Sequence, residues 1–450
     1  MSDKVFRDPL YNYISVDRDQ DSWLLKLLDT REVQRLRRIH QLGVSNYTYP
    51  GADHNRLAHS LGVVHLMQMI VSHFQRNYPQ VSNDGAARDA LLAAALLHDV
   101  GHGPFSHLFE PCLGIKHEKW SIAVVLDSES EVHSALKKRD NFLPQRVANL
   151  IDENNHDQPT WQKLLLSSQL DADRLDYLRR DSLFTGAGYG HFDWYRLLTT
   201  VELFGDDPSD FDLVWPEKAA LAIEEYIFAR FYMYQNVYLH KTTRGFEQLL
   251  QAMWQRATTL MENGDDVHAT PVLKDFWSHS DRTPGSLPLK KYLRIEEFAV
   301  LSQIDVWRNH PDKPLSDLAH RFLNRDGFAM IPAPSGENPL ESGGDSEWLQ
   351  ALAEVVGKAG FENPACYCLF DDVDGKYRRP YKPEKEGQQQ SASTAIRVRI
   401  KGESAPIEIS SYLPRLAAVT NLPPPMRIYY VPKEARNDAK KLRETWTPSV

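Results

Sequence analysis

Six positions in this sequence have the types and spacing to do chemistry together. His98-Asp99 closes the apolar run Leu91–Leu97, and His102 and His107 follow in Val100-Gly101-His102-Gly103-Pro104-Phe105-Ser106-His107. A His and an Asp at the end of an apolar helix resist burial unless they are paired or bound to a metal. The bland reading is a capped helix end with a hydrogen-bonded His. Three imidazoles and a carboxylate within ten residues, beside glycines that let backbone approach a ligand closely, favour a metal with proton-transfer groups. His59, in His54-Asn55-Arg56-Leu57-Ala58-His59, and Asp173, in Asp171-Ala172-Asp173-Arg174-Leu175-Asp176-Tyr177, extend the set. Two imidazoles (His59, His98) and two carboxylates (Asp99, Asp173) make a mixed nitrogen and oxygen donor set. It suits a divalent Mn, Fe, Zn, Co, Ni or Mg ion. Such an ion lowers the pKa of a water and makes hydroxide available near neutral pH. The lack of Cys in the set argues against a closed structural zinc site.

Asp173, Tyr177 and Asp181 are spaced i, i+4, i+8 and share one helix face, flanked by Arg174 and Arg180. A phosphate-bearing substrate near the metal could use these cations. Alone, such a run reads more readily as a surface salt-bridge ladder. Arg230 and Tyr238-Leu239-His240-Lys241 add candidate phosphate ligands and a candidate wall for a sugar; otherwise they are aromatic packing with snorkelling cations.

The elements that must hold these residues are mostly helical up to residue 280. Apolar periodicity predicts helices over Leu57–Phe74, Ala86–His98, Trp161–Arg180 and Trp215–Met261. A Ser, Asp, Thr, Pro and Gly-rich stretch at Ser278–Leu287 sets a boundary. The expected architecture is mainly α: a helical catalytic core over 1–280 and a smaller α+β region over 281–450. In the second part, helices are predicted at Ile295–Arg308 and Leu315–Leu323. Strands are predicted at Cys366–Phe370, Ala395–Lys401, Ile407–Ser411 and Arg427–Val431. Mobile loops are expected near 333–346 and 382–394, and a fraying tail after Pro432. Of the 450 residues, 61 are acidic and 52 basic, a net charge of −9, which disfavours a general nucleic-acid-coating role. Three Cys exclude a disulfide scaffold, and Cys366 and Cys368, two apart, would share one face of a strand as reduced thiols. No signal-peptide core follows Met1, and no apolar run of 18 residues predicts a membrane span, so the expected setting is cytoplasmic.

The order His59…His98-Asp99…Asp173 resembles the H…HD…D signature of the HD-domain phosphohydrolase superfamily. The dNTP triphosphohydrolase branch is the nearer likeness, including bacterial dGTPase-like proteins and the mammalian sterile-alpha-motif/HD-domain dNTPase. Lys4-Val5-Phe6-Arg7-Asp8-Pro9, Gln34-Arg35-Leu36-Arg37, Gln41-Leu42-Gly43, Tyr49-Pro50-Gly51-Ala52, His54 to Gly62, His98 to His107, His117-Glu118, Asp173 to Tyr177 and Tyr238 to Lys241 carry it, in order, over the first 250 or so residues. The resemblance implies that His59, His98, Asp99 and Asp173 hold the metal. It implies His107 as general acid or water-activating group, oriented by His117 with Glu110 or Glu118, and His102 on phosphate. Arg56, Arg174, Arg230 and Lys241 would meet the triphosphate, and Tyr177 its terminal oxygens. Gln41 and Leu42 would bracket the deoxyribose, Asp181 with Gln41 would read its 3′-hydroxyl, and Tyr238 would exclude a 2′-hydroxyl. Glu110 stands where the mammalian relative has Asp, and Arg174 where it has Lys.

The allosterically activated relatives also imply a regulatory nucleotide site between subunits, matched here by Lys4, Val5, Asp29, Gln34 and Arg37, with Arg196 and Arg325 toward a second nucleotide. The implied protein is a homo-oligomer, a tetramer, answering to GTP or dNTP. Two other classes remain open at this stage: another HD phosphohydrolase acting on nucleotides or single-stranded nucleic acid, and a non-catalytic nucleotide sensor.

Overall fold

The computed structural model describes residues 3–446 apart from Asn83, Ile115, His156 and the segments 335–343, 374–378, 385–393 and 422–425. The two stretches expected to be mobile, near 333–346 and 382–394, therefore fall largely outside the described residues. The chain opens with an antiparallel hairpin, β1 (Lys4–Asp8) and β2 (Asn12–Val16). Then come α1 (Arg56–Asn77), α2 (Gly85–Leu97), α3 (His117–Leu126) and α4 (Ala172–Thr185). Strands β3 (Glu202–Phe204) and β4 (Asp212–Pro216) precede α5 (Ala220–Met233) and α6 (Lys241–Glu262). Next are α7 (Glu297–Trp307), α8 (Lys313–Leu323), β5 (Ala329–Pro332), β6 (Leu369–Val373), β7 (Arg397–Arg399), β8 (Ile407–Glu408), β9 (Met426–Val431) and α9 (Arg436–Thr445). The mainly helical architecture with minor sheets is as expected.

Local chemistry explains where the helices differ from the apolar periodicity. The predicted Trp161–Arg180 helix is two helices, because Asp171 breaks the run. Its Oδ1 accepts the Arg174 backbone N–H at 2.8 Å and its Oδ2 that of Ser168 at 2.7 Å, which caps α4 and ends the helix before it. The predicted Trp215–Met261 helix starts instead as β4 and breaks after a π-helical turn at Tyr234–Tyr238. There the His240 side chain accepts the Thr242 N–H and starts α6. The described part of the tail after Pro432, as far as Trp446, does not fray. Ala435 and Ala439 are buried, and Arg443 donates to the Ala333 carbonyl at 3.0 Å, so α9 is docked. Cys366 lies in a 3-10 turn and Cys368 at its end, ahead of β6 rather than on it.

The sheets are small and tie distant segments together. The order β3-β4-β7-β8 places a late strand parallel to β4, and β5-β9-β6 is wholly antiparallel. The apolar core consequently divides elsewhere than at residue 280. One core combines residues up to Val237 with Tyr381, Ile396, Val398, Ile409 and Leu416. The other runs from Phe246 to Ala439 and draws in Val44, Phe105, Phe109 and Trp120 from the first part. The His102–His107 turn thus sits where the two cores meet.

Helix α1 packs between α2 and α4. Its length and hydropathy would suffice for a membrane span, but here it is a largely buried core helix. Close approach to α4 requires Gly62, since a Cβ there would lie 1.9 Å from Asp176 Oδ1 and 2.5 Å from Arg180 Nη2. Both partners are buried and paired, so neither can yield cheaply. Gly62→Ala is expected to destabilise the fold by about 1–3 kcal/mol through overpacking. Gly85→Ala, whose Cβ meets open space, is the control. Denaturant midpoints of the two variants check this, and equal midpoints would contradict the packing described.

Candidate active site

Each expected metal ligand comes from a helix end that packing drives inward. His59 follows the Asn55 cap of α1, whose side chain accepts the Ala58 N–H. His98-Asp99 terminates α2, and Asp173 lies in the first turn of α4. The four converge. His59 Nε2 stands 3.0 Å from Asp173 Oδ1 and 3.6 Å from Asp99 Oδ2. His98 Nε2 stands 3.6 Å from Asp173 Oδ1 and 3.5 Å from Asp99 Oδ1. Both imidazoles have Nδ1 committed, His59 to Asp176 Oδ2 at 2.8 Å and His98 to the Ala95 carbonyl at 3.0 Å. That fixes the tautomer and leaves Nε2 as the free ligand atom. Both Nε2 atoms are buried and lack a hydrogen bond of acceptable geometry, although they face carboxylates. Buried, orphaned nitrogens opposed by two carboxylates fit a divalent cation.

The electrostatics agree. Burial lowers the pKa of His59, but the Asp173 and Asp176 carboxylates that face its ring outweigh it and raise the value to about 10. His98 is also raised: burial lowers it, and the charges of Asp99 and Asp173 override that. Burial pushes Asp99 up, yet Arg56 above all holds it well below the ordinary carboxylate range.

A second cluster adjoins the first. His102, His107, Glu110 and His117 bring donor atoms within 4.8 Å of one another. Glu110 Oε1 receives His107 Nδ1 at 2.9 Å and His117 Nδ1 at 2.7 Å. Burial raises the Glu110 carboxyl, but those two rings keep it far below its usual range. His102 stacks on His117 with centroids 3.6 Å apart, and its Nε2 faces Asp99 Oδ1 at 3.3 Å. Burial and the neighbouring Arg56 and His117 charges hold the His102 ring neutral. His107 is 69% exposed, standing at the rim while the metal ligands lie beneath. Glu118 contacts His117 Nδ1 at 3.6 Å, farther than Glu110, so Glu110 is the orienting carboxylate.

The turn carrying His107 is strained. Phe105 and Ser106 have φ of 57° and 58°, the left-handed region that costs non-glycine residues energy. Glu297 of α7 holds it, accepting the Phe105 N–H at 3.0 Å and the His40 N–H at 2.7 Å. Arg35, fully buried, donates to the carbonyls of His102 at 2.7 Å, Leu293 at 3.0 Å and Ile295 at 2.8 Å. Arg56 donates to Ser106 Oγ at 2.7 Å and pairs with Asp99. The close approach at Gly101 is to Ser121 N and His117 O of α3, not to a ligand. Glu297 and Arg35 escaped sequence reading because carbonyl-bound cations and a lone distant Glu carry no local pattern. Asp176 was discernible in principle, three residues after Asp173 on the same helix.

Of the expected substrate residues, Asp181 receives His54 Nε2 at 2.7 Å and the Tyr238 hydroxyl at 2.8 Å. Gln41 Oε1 is buried with no hydrogen-bond partner among the described residues. Leu42 packs half-buried against the core. Tyr177 lies between the His59 ring, 6.5 Å away, and that of Tyr238, 6.3 Å away. Arg174, Arg230 and Tyr234 form an electropositive patch beside Tyr177, with Arg230 donating to the Pro380 carbonyl at 2.6 Å. Tyr234 was not anticipated; burial raises its pKa, but Arg230 and Arg174 leave it lowered. Lys241 stands apart, exposed at the first position of α6. Among the regulatory candidates, Gln34 bonds the Leu28 carbonyl and Arg37 Nε, with exposed Asp29 ending the helix Ser22–Leu28. Lys4 and Val5 lie on the exposed hairpin, Arg196 pairs with Asp193 at 2.9 Å, and Arg325 donates to the Tyr47 carbonyl at 2.7 Å.

The HD domain family matches residues 56–181, the span from Arg56 to Asp181 that contains both clusters. The uncharacterized protein YwfO of Bacillus subtilis is 37% identical over 387 residues, covering 86% of this chain and 83% of that protein. The chain belongs to the HD-domain family. The deoxynucleoside triphosphate triphosphohydrolase SAMHD1 of Gallus gallus is 27% identical over 317 residues, covering 62% of this chain and 50% of that protein. A phosphohydrolase from Bacteroides thetaiotaomicron has the same fold at a TM-score of 0.73 and 26% identity, covering 96% of this chain and 99% of that one. This chain is thus an HD-superfamily phosphohydrolase, and the matched span contains His and Asp groups that could hold a metal ion.

If His59 holds the metal, proton and cation compete for it: its pKa is raised to about 10, so a divalent cation would displace a proton to bind. Mn²⁺ titrated calorimetrically into metal-free protein at pH 7 is expected to release at least one proton, seen as a dependence of heat on buffer ionisation. Apparent affinity is expected to rise with pH from 6 to 9. Proton-neutral binding would contradict this ligand assignment.

Proposed function

We propose that this chain is a metal-dependent dNTP triphosphohydrolase, releasing deoxynucleoside and tripolyphosphate. The observation that carries the reading is the pair of orphaned imidazole nitrogens and two carboxylates beside a carboxylate-oriented, rim-exposed His107. A divalent cation held by His59, His98, Asp99 and Asp173 would supply a water activated near neutral pH and polarise a phosphoryl oxygen. The chain's own groups do the rest. Glu110 bonds His107 Nδ1, which leaves His107 Nε2 to carry a proton to the leaving 5′-oxygen. Arg174 and Arg230 neutralise charge growing on the tripolyphosphate. Gln41 and Asp181 suit a sugar hydroxyl, and Tyr238, bonded to Asp181, stands where added bulk on the ribose would meet it.

The likeness to SAMHD1 supports the dNTP substrate class. The regulatory part of the proposal is a homo-oligomer, a tetramer, activated by GTP or dNTP, with Asp29, Gln34 and Arg37 as neighbouring surface groups in support.

Purified protein incubated with each dNTP, singly and mixed with GTP, and with Mn²⁺ is expected to yield tripolyphosphate and deoxynucleoside. Orthophosphate or pyrophosphate as the sole product would reject the triphosphohydrolase reading. His107→Ala is expected to lower kcat roughly 10²–10⁴-fold while metal content is kept. Full activity in that variant would reject its role as acid.

A further inference from the structure

The hairpin β1–β2 reaches the metal site through buried charge. Asp8, the last residue of β1, shapes the turn itself, its Oδ1 accepting the N–H groups of Leu10 at 2.9 Å and Tyr11 at 3.0 Å. Its other oxygen receives Arg180 Nη1 at 2.9 Å. Arg180 grips Asp176 with Nε at 2.8 Å and Nη2 at 3.0 Å. Asp176 Oδ2 then accepts His59 Nδ1 at 2.8 Å, and Tyr11 donates its hydroxyl to Asp176 Oδ1 at 2.9 Å. Asp176, Arg180 and His59 are fully buried, and Asp8 is only 6% exposed. The Asp176 carboxylate lies close against α1 at Gly62.

We propose that Asp8 and Tyr11 of the N-terminal hairpin are positioning residues for the metal, acting on His59 through Arg180 and Asp176. Asp8 shares the Arg180 charge. With Asp8 present, Asp176 keeps more of its negative charge for His59 Nδ1–H, and His59 Nε2 is the stronger ligand. Tyr11 locks the rotation of the same carboxylate. The hairpin therefore sets how tightly the chain holds its cation without supplying a ligand. This rests on His59 being a metal ligand.

The test measures Mn²⁺ affinity of the full chain by the electron paramagnetic resonance of free Mn²⁺, with near-ultraviolet circular dichroism reporting the fold. Asp176→Asn is expected to weaken binding about 10–100-fold. Asp8→Asn is expected to weaken it at least threefold, and Tyr11→Phe at least twofold. In the Asp176→Asn background, Asp8→Asn is expected to have no further effect, which a merely structural role would not produce. Arg7→Ala, which removes only the exposed contacts to Asn12 and Tyr13, is expected to bind as the parent does. Unchanged affinity in Asp8→Asn, or an undiminished effect in the Asp176→Asn background, overturns the relay. Should Asp8→Asn fail to fold, Tyr11→Phe decides, because it changes no charge; parental affinity there also overturns it. Asp99→Ala separates the two readings. If it binds Mn²⁺ normally, the metal site itself is wrong; if it loses Mn²⁺ while the hairpin variants do not change, only the relay is wrong.

Discussion

Buried negative charge is the constraint on which this structure turns. Asp99, Asp173 and Asp176 enter the interface between α1, α2 and α4, where an uncompensated carboxylate costs several kcal/mol. Each is answered by a specific cation or imidazole. Arg56 faces Asp99, Arg180 clamps Asp176, and His59 bridges Asp173 and Asp176. Separating the helices would strand several charges at once, so the helices are held in one arrangement. The same arrangement leaves two imidazole nitrogens without a hydrogen bond, which is the shape of a cation site.

The two apolar cores divide the work around that centre. The first packs the helices that bear the metal ligands. The second takes Phe105 and Phe109 from either side of His107 and Trp120 from α3, where Trp120 stacks on Tyr292 at 3.8 Å. Glu297 lies far along the chain, yet it stabilises the left-handed turn at Phe105. The later part thus holds the turn that carries His107, a rim residue standing beside a quartet in which His59 and Asp99 are buried and His98 and Asp173 partly so.

Charge distribution separates the whole from the site. The chain carries a net −9, which weakens non-specific attraction to polyanions. Locally, Arg174 and Arg230 stand beside Tyr177 and Tyr234 in a desolvated patch, where their fields are screened less than on the surface.

That His59, His98, Asp99 and Asp173 gather in one place was legible in the sequence because imidazoles and carboxylates at the ends of apolar helices resist burial unless they are paired or bound to a metal. The mainly helical fold was legible from the 3.6-residue apolar spacing of α1 and α2. Asp171 and His240 ended predicted helices by capping the next ones, a competition between side chain and backbone that periodicity does not register. Tertiary structure alone decided that β7 returns to the first core, that Glu297 and Arg35 hold the His102–His107 turn, and that Asp8 lies on the path to His59. Those pairings join residues 67 to 192 positions apart. Each needs the closed fold to bring its two partners together, a condition that no stretch of the chain expresses by itself.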